Sequence, residues 1–314
     1  MKPKKEYLIL FALVLVLVLY LLLHRSGRTL YELPQLKELK KAEITKIAVK
    51  GPDNEVRLEK KGDKWQIMPP GYPAGSSKVD NMTDIISGLK LTAMVSESQN
   101  YSRYQLGEAE KISVRAWSDE ELLRSFAVGK PAPSRRHTFV RLADDPRVYH
   151  ARKNFRSRFA VGVDALRDKT VFAAAADKVR AIEIRRKDTE VRLARTQQSP
   201  EKDASDKMSR EKTQQKTVWE DKQGNEIAAS KIKKLLRLVK DLECQSFISK
   251  RKKSDFARPI YTLSVNDKKS RTLSVFEKEK KDAEAYPAVS SEAADPFYLS
   301  AAKAEAIMEA IGKE

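Results

Sequence analysis

An uninterrupted apolar run near the N-terminus constrains this chain more than any other feature. From Tyr7 to Leu23, 17 residues pass without a charged residue, glycine or proline. As a helix rising ~1.5 Å per residue the run spans roughly 25 Å, and Lys5 and Arg25 can reach the interfaces of a ~30 Å hydrocarbon core. A cleaved signal peptide would instead have a shorter apolar core followed by a small-residue cleavage site. The run therefore predicts an uncleaved transmembrane anchor within residues 1–25.

The orientation of this anchor does not follow from charge, because lysine and arginine occur on both sides of the run. Long domains are translocated largely regardless of charge, and a short lysine-rich N-terminus is usually retained inside. We therefore expect the C-terminal region to lie outside the cytoplasm. The only cysteine, Cys244, cannot form an internal disulfide, so the fold tolerates either redox environment.

The charge balance of the chain favours anionic partners. Lys and Arg number 62 against 44 Asp and Glu, which gives a formal net charge of +18 and a pI near 9.7. Such an excess attracts polyanions, among them acidic glycans, lipid headgroups and nucleic acid. Acidic residues are interleaved with the basic ones, so a uniformly solvated surface is an equally physical interpretation. An extracytoplasmic location excludes nucleic acid as a partner.

Residues 26–42 read as a charged juxtamembrane stalk, and the pattern then changes to short alternating strands in a first repeat, 43–170. Alternation predicts an antiparallel meander, then a helix that begins at a capping-box-like Ser77 and Asp80, then further hairpins. The apolar residues of the meander are Ile44, Ile47, Val49, Val56, Leu58, Trp65 and Ile67, and those of the helix are Val79, Met82, Ile85, Ile86 and Leu89.

The same order of elements recurs in a second repeat, 171–314. A meander ending at Trp219 precedes a helix that opens at Ser230, and a hairpin and a final helix follow. Thr196 to Thr217 is a polar insertion, almost free of apolar residues, that predicts a disordered surface loop. Trp65 and Trp219 are predicted to be equivalent structural residues beneath the two helices. The predicted fold class is α+β, with two tandem repeats of antiparallel strands and one packed helix each, behind the transmembrane helix.

Several short strings resemble one protein family. Gly71-Tyr72-Pro73-Ala74 followed by Lys78-Val79-Asp80, then Val95-Ser96-Glu97, Tyr104-Gln105-Leu106 and Leu166-Arg167-Asp168-Lys169, are similar to the bacterial domain of unknown function 4340. The resemblance covers most of the chain from Ile44 to Phe172 and, more loosely, the second half. It implies a single-anchor protein of the bacterial inner membrane, with periplasmic domains, encoded beside gliding-motility-type ABC transporter subunits. The family's usual Tyr-Gly-Leu is Tyr104-Gln105-Leu106 here, and the family has no established activity.

No catalytic, cofactor-binding or metal-binding set emerges from the residues. Gly129-Lys130 resembles the end of a phosphate-binding loop, but Arg124 stands where the first glycine of that motif is required. There is no Gly-x-Ser-x-Gly elbow, and His24, His137 and His150 have no metal-ligand spacing. Cys244 has no identifiable partner base. The sequence therefore predicts a protein that is not an enzyme.

Two groups of charged residues are candidates for a role. Arg167 and Asp168 are predicted to form a structural pair at the junction between the repeats. A basic group is dense enough to bind phosphate or carboxylate, although the same spacing also fits arginines that face solvent from a short helix whose Phe155 and Phe159 face the core. Its members are Arg135, Arg136, Arg152, Lys153, Arg156 and Arg158.

Three functions remain open at this point. The first is a membrane-anchored extracytoplasmic scaffold that binds envelope or ABC-transporter-associated proteins without catalysis. The second is a binding module for anionic envelope glycans or lipid headgroups, whose affinity would fall steeply with salt, unlike that of an apolar protein interface. The third is an envelope hydrolase whose carboxylate pair is assembled only by the fold.

Overall fold

The computed structural model describes residues 5–23, 31–187, 189–198 and 216–311. The chain divides into two compact units, residues 1–166 and 167–314. Residues 167–170, which the sequence pattern placed in the first repeat, thus lie in the second unit. Most of the predicted insertion, 199–215, lies outside the described residues. Its ends are strand, because Thr196 to Gln198 pair with Lys216 to Val218, so for these residues the prediction of a disordered loop is wrong.

The apolar N-terminal run lies in helix α1, Lys5–Leu23. The described large apolar side chains of this helix, from Ile9 to Tyr20, are all exposed, by 48% to 67%. Across the described ranges, no helix has both the length and the apolar content needed to cross a membrane.

Part of the predicted stalk packs on the first unit. Leu33, Leu36 and Leu39 lie against its hydrophobic core, and the carbonyl of Lys37 accepts a hydrogen bond from the Arg124 guanidinium at 2.5 Å. These three leucines are spaced three residues apart, and each is partly buried against the core. Residues 33–39 are therefore part of the fold of this unit.

The first unit is built on one antiparallel sheet, nine-stranded over the residues described, in the order β4-β3-β2-β1-β6-β7-β8-β9-β5. Its strands are β1 Lys46–Lys50, β2 Glu55–Lys61, β3 Lys64–Met68, β4 Tyr72–Pro73, β5 Leu91–Ser96, β6 Ile112–Ser118, β7 Glu121–Pro131, β8 His137–Leu142 and β9 Val148–Arg152. Its helices are α2 Ser76–Ser87, α3 Arg156–Phe159 and α4 Val163–Leu166. One face of the sheet packs beneath α2, as the alternation of apolar residues predicts.

The second unit repeats this order as β14-β13-β12-β11-β17-β18-β19-β20-β16, again counting only described residues. Its strands are β11 Ala181–Arg186, β12 Thr189–Gln198, β13 Lys216–Glu220, β14 Glu226–Ile227, β16 Ser246–Phe247, β17 Tyr261–Asn266, β18 Ser270–Val275, β19 Ala285–Ser290 and β20 Phe297–Ser300. A separate pair joins β10, Thr170–Phe172, to β15, Leu242–Glu243, and the helices are α5 Ala229–Val239 and α6 Ala301–Glu309. The α+β prediction, with mostly antiparallel sheets, is confirmed.

Strand register makes the two sheets equivalent residue by residue. Trp65 pairs with Lys60 on the neighbouring strand, and Trp219 pairs with Arg195 at the corresponding position. Trp219 is buried among the side chains of its unit, whereas Trp65 is only partly buried. Both packed helices follow a short strand that pairs with the strand of the tryptophan, so sequence and pairing repeat together.

The C-terminal end of α2 is completed by an arginine, and its N-terminal end has no side-chain cap. α2 begins at Ser76 with Gly75 as its N-cap, and no side chain caps it, so the predicted capping box at Ser77 is wrong. At its other end the Arg124 guanidinium donates to the carbonyls of Ile86 and Ser87 at 2.6 and 3.1 Å. The last carbonyls of a helix lack intrahelical partners and carry partial negative charge, so a buried guanidinium satisfies both needs.

The loop that contains the family's Tyr-Gly-Leu position lies directly on β7. Gln105 adopts φ +53° and ψ +41°, the left-handed conformation that glycine adopts most easily, which explains why a glycine is usual there. A Cβ at Gly129 of β7 would lie 2.3 Å from the carbonyl oxygen of Tyr104. Gly129 is therefore needed for close packing of this loop, and its resemblance to a phosphate-binding loop is incidental.

Replacing Trp219 with alanine should lower the free energy of unfolding by about 3–4 kcal/mol, because a 7% exposed indole leaves a cavity. The same change at the partly exposed Trp65 should cost about 1–2 kcal/mol, since less buried area is lost. Urea unfolding of the full chain, followed by far-UV circular dichroism, measures both. Equal losses of unfolding free energy in the two variants would contradict the deeper burial of Trp219.

Gly129→Ala should destabilise the protein by about 1–3 kcal/mol, because the added methyl group meets backbone that cannot rotate away. Gly107→Ala is the matched control, since its nearest neighbour would lie 4.0 Å away, and it should change stability by less than about 0.5 kcal/mol. The melting temperatures of the two variants provide the comparison. A harmless Gly129→Ala change would rule out close packing of the Tyr104 loop on β7.

Candidate functional site

The first unit contains a cleft with a basic lining. It has a volume of about 430 Å³ and lies where the C-terminal end of α2 meets the ends of β5 and β9. Four cationic side chains line it: Lys90, Arg152, Lys153 and Arg158. The rest of the lining consists of Asn81, Asp84, Ile85, Gly88, Leu89, Asn154 and Phe155.

Backbone hydrogen bonds fix the segment that supplies three of these cations. The amide of Arg152 donates to the carbonyl of Lys90 at 2.9 Å, so the two residues lie side by side. Lys153 has φ +74°, and its amide donates a hydrogen bond to the backbone carbonyl of Arg136 at 2.9 Å. The buried Thr138 hydroxyl donates to the Lys153 carbonyl at 3.0 Å and accepts from the Phe155 amide at 3.1 Å. The chain therefore turns sharply after β9 and directs its basic residues along the cleft.

The charge of the cleft is not neutralised from within. The one acid in its lining is Asp84, which forms an ion pair with Lys41, with 2.9 Å between Nζ of the lysine and Oδ1 of the aspartate. Within the part of the chain that the structure describes, no acid lies within ion-pair distance of Lys90, Arg152, Lys153 or Arg158. The partial negative charge at the end of α2 is offset by Arg124, as its two carbonyl contacts show. An anion entering the cleft would therefore find cations that have no acidic partner of their own.

Not every basic residue predicted from the sequence belongs to this cleft. Arg152, Lys153 and Arg158 are brought together, while Arg135 and Arg136 occupy the exposed turn between β7 and β8. Arg156 points inward, and its guanidinium donates to the carbonyls of Val128 at 3.0 Å and Glu110 at 2.8 Å. Burial lowers the pKa of this guanidinium. Arg156 therefore holds the backbone of two neighbouring segments and does not line the cleft.

Lys90 is the cleft residue that the sequence did not single out. It immediately precedes β5, which pairs with β9 although some 60 residues separate the two strands in the chain. Only this non-local pairing brings Lys90 beside Arg152. An isolated lysine before a strand carries no signal of its own.

The predicted pair at the start of the second unit has a different geometry. Arg167 is 7% exposed; its guanidinium donates to Asp295 at 2.7 Å and lies 3.5 Å from the centroid of the Phe247 ring. Asp168 accepts a hydrogen bond from the amide of Thr170 at 3.0 Å. The acid placed against Arg167 comes from a segment 128 residues further along the chain.

Two histidines of the consecutive strands β8 and β9 lie together. The rings of His137 and His150 stack with centroids 5.3 Å apart, and Nε2 of His150 is buried with no hydrogen-bond partner among the residues described. Burial and the neighbouring His137 lower the pKa of His150. Because the unfolded chain binds this proton more readily, the associated stability is present above about pH 6.5 and is lost as the pH falls. Over the described ranges, no three or more His, Cys, Asp or Glu residues are grouped to hold a metal ion.

The second unit is built differently at the position that corresponds to the basic cleft. In the first unit β9 is followed by the single-turn helix α3, whereas β20 leads directly into the nine-residue helix α6. Ala304 and Ile307 of α6 are buried in the core of that unit, and Lys303 donates to the carbonyl of Glu243 at 2.9 Å. A longer helix, packed on the core, thus follows the last strand of the second unit.

Comparison with known proteins gives one match. A family model described as Domain of unknown function (DUF4340) matches residues 65–274, which is more than half of the chain and reaches into both units. No curated protein and no solved structure matches the chain. The chain therefore belongs to the DUF4340 family, as its sequence motifs indicate.

Proposed function

We propose that this chain is a single-pass protein of the bacterial inner membrane whose periplasmic units form a non-enzymatic scaffold for another envelope protein. The anchor is supported by the uncharged run from Tyr7 to Leu23 and by the exposed apolar side chains of α1. Exposed apolar patches of this kind are uncommon on soluble monomers and are typical of surfaces that meet a membrane or a partner. The family resemblance implies that the partner is associated with an ABC transporter.

The observation that carries the scaffold proposal is that one core architecture occurs twice with two different surfaces. Strand order and core register are the same in both units. The surfaces differ, because the last strand is followed by the single turn α3 beside the basic cleft in the first unit and by the nine-residue helix α6 in the second. Repeating a stable core while varying its exposed positions is how a fold gains binding surfaces without new chemistry.

The scaffold proposal predicts a partner that can be crosslinked from outside the cytoplasm. A membrane-impermeant, lysine-reactive crosslinker applied to spheroplasts that carry the full-length tagged chain should yield a discrete heavier species containing a second envelope protein. The control is the same chain with residues 1–25 replaced by a cleavable signal peptide, which should lose most of this species because tethering raises the effective concentration.

Two results would contradict this proposal. Protection of the chain from the impermeant reagent would place it on the cytoplasmic side of the membrane. Hydrolysis of an envelope substrate by the full chain, abolished by changing a single carboxylate, would make it an enzyme.

A second candidate function, the binding of anionic envelope groups, is favoured specifically by the basic cleft. Its four cations have no acidic partner among the described side chains, and its volume of about 430 Å³ accommodates a phosphate-bearing headgroup or sugar. Phosphate is the chemistry that glycans and lipids of this kind share. The cleft and a protein interface elsewhere on the chain are compatible.

Inorganic phosphate should bind the cleft weakly and raise the melting temperature of the full chain as its concentration rises. The combined change Lys90→Gln, Arg152→Gln and Arg158→Gln should weaken this binding at least about tenfold, equivalent to about 1.4 kcal/mol. Arg135→Gln with Arg136→Gln is the control, because both residues lie near the cleft but outside its lining. An equal loss of phosphate affinity in the two variants would mean that phosphate binding depends only on the net charge of the chain.

A further inference from the structure

The face of the first sheet that points away from α2 carries a second recess, which we call the open-face groove. Its volume is about 440 Å³, and its floor is made of small residues on adjacent strands, chiefly Ser113, Ser125 and Ala127. Around this floor stand four basic side chains: Lys50, Lys111, Arg115 and Arg141. The groove shares no residue with the basic cleft.

The register of four strands accounts for the shape of the groove. Lys50 of β1 is opposite Ser113 of β6, Ser113 is opposite Ala127 of β7, and Ala127 is opposite Arg141 of β8. One row across the sheet therefore places two small side chains between two long cationic ones. With strands ~4.8 Å apart, the backbones at the two ends of this row are roughly 14 Å apart.

The arginines of the groove are held by aromatic rings rather than by acids. Arg141 lies over Tyr101 with 4.5 Å to the ring centroid, and Arg115 lies over Trp117 at 5.5 Å. Lys111 pairs with Glu108. Considering only the described residues, no acid lies within ion-pair distance of Lys50, Arg115 or Arg141. Stacking on a ring orients a guanidinium while leaving its N–H groups available to a carboxylate.

The equivalent face of the second sheet provides a contrast within the same chain. By strand register, Arg185 corresponds to Lys50, while Ser264 and Val289 correspond to Arg115 and Arg141. Arg185 is paired with Glu183 at 2.5 Å, and the neighbouring Arg192 is paired with Glu190. This face neutralises its own charge, so unpaired cations are not a general consequence of the architecture.

We propose that the open-face groove binds an acidic extended segment of the partner protein, with Asp or Glu side chains at alternate positions. This inference deepens the proposed scaffold function and rests on it. In an extended chain, residues four apart are roughly 13–14 Å apart and point to the same side, which matches the spacing from Lys50 to Arg141. The small floor residues leave room for the intervening side chain to descend between the cations.

The shape of the groove favours a polypeptide over a bilayer surface. A recess with a floor of serine and alanine admits inserted side chains, whereas a planar layer of headgroups would touch only its rim. Glu55 and Glu108 also stand near the groove, each paired with a basic neighbour, so this face lacks the uniform polybasic character that anionic membranes attract.

Fluorescence anisotropy of a labelled (Glu-Ser)4 peptide, titrated with the full chain in detergent, tests the proposal. The peptide should bind, (Gln-Ser)4 should not, and binding should weaken as salt rises from 0.05 to 0.5 M. Lys50→Gln, Arg115→Gln and Arg141→Gln together should weaken binding at least about tenfold. The matched control is Arg185→Gln with Arg192→Gln on the second sheet, which should leave binding within about twofold.

The results of this titration and of the crosslinking experiment together distinguish the groove proposal from the scaffold proposal. Three results would overturn the groove proposal. They are unchanged peptide binding in the triple variant (the groove variant), an equal loss of peptide binding in the control variant, and tighter binding to anionic vesicles than to the peptide. If the triple variant unfolds, Arg141→Gln alone provides the same comparison, because its side chain lies at the rim. Acidic-peptide binding without any envelope crosslink would support the groove and refute the scaffold. A crosslink that persists undiminished in the groove variant would refute the groove and support the scaffold.

Discussion

Each unit of this protein depends on the burial of one face of an antiparallel sheet, and in the first unit a smaller cluster around Leu106 and Phe139 also buries part of the other face. Alternate residues of every central strand point into the core, where α2 or α5 covers them, and the residues between them point to the other side. Since the side of each strand that faces the main core must remain apolar, most of the variation between the units falls on the other side. The open-face groove of the first unit and the ion-paired face of the second are two outcomes of that variation.

The ends of the elements, rather than their centres, distinguish the two units. The core positions correspond pair by pair, including the tryptophans at residues 65 and 219. The segment after the ninth strand in chain order does not correspond: it is one turn of helix beside a basic cleft in the first unit and the nine-residue helix α6 in the second. The helix that follows the last strand therefore differs in length between two units whose core positions correspond.

The sequence predicted the strands well because alternation is a local signal. Pairs such as Val140 with Tyr149, and the helix faces around Met82 and Leu235, follow from periodicity alone. The arginines could not be predicted in the same way. Arg156 binds backbone carbonyls from segments 28 and 46 residues away, and Arg124 caps a helix that lies 37 residues before it.

The candidate sites were only partly visible from sequence for the same reason. Arg152, Lys153 and Arg158 are neighbours in the chain and could be recognised as a cluster. Lys90 joins them only through the pairing of β5 with β9. The open-face groove draws its row from four strands, and no local pattern marks Lys50 and Arg141 as the two ends of one surface.

The outermost strands determine how such molecules can meet. β4, β14 and β16 are two residues long, β4 ends in a proline, and β5 is interrupted by two register shifts. Short, proline-containing or bulged margins offer few free N–H and C=O groups to a neighbouring sheet, which discourages intermolecular strand addition. Copies crowded together in two dimensions would therefore resist polymerising through their sheets.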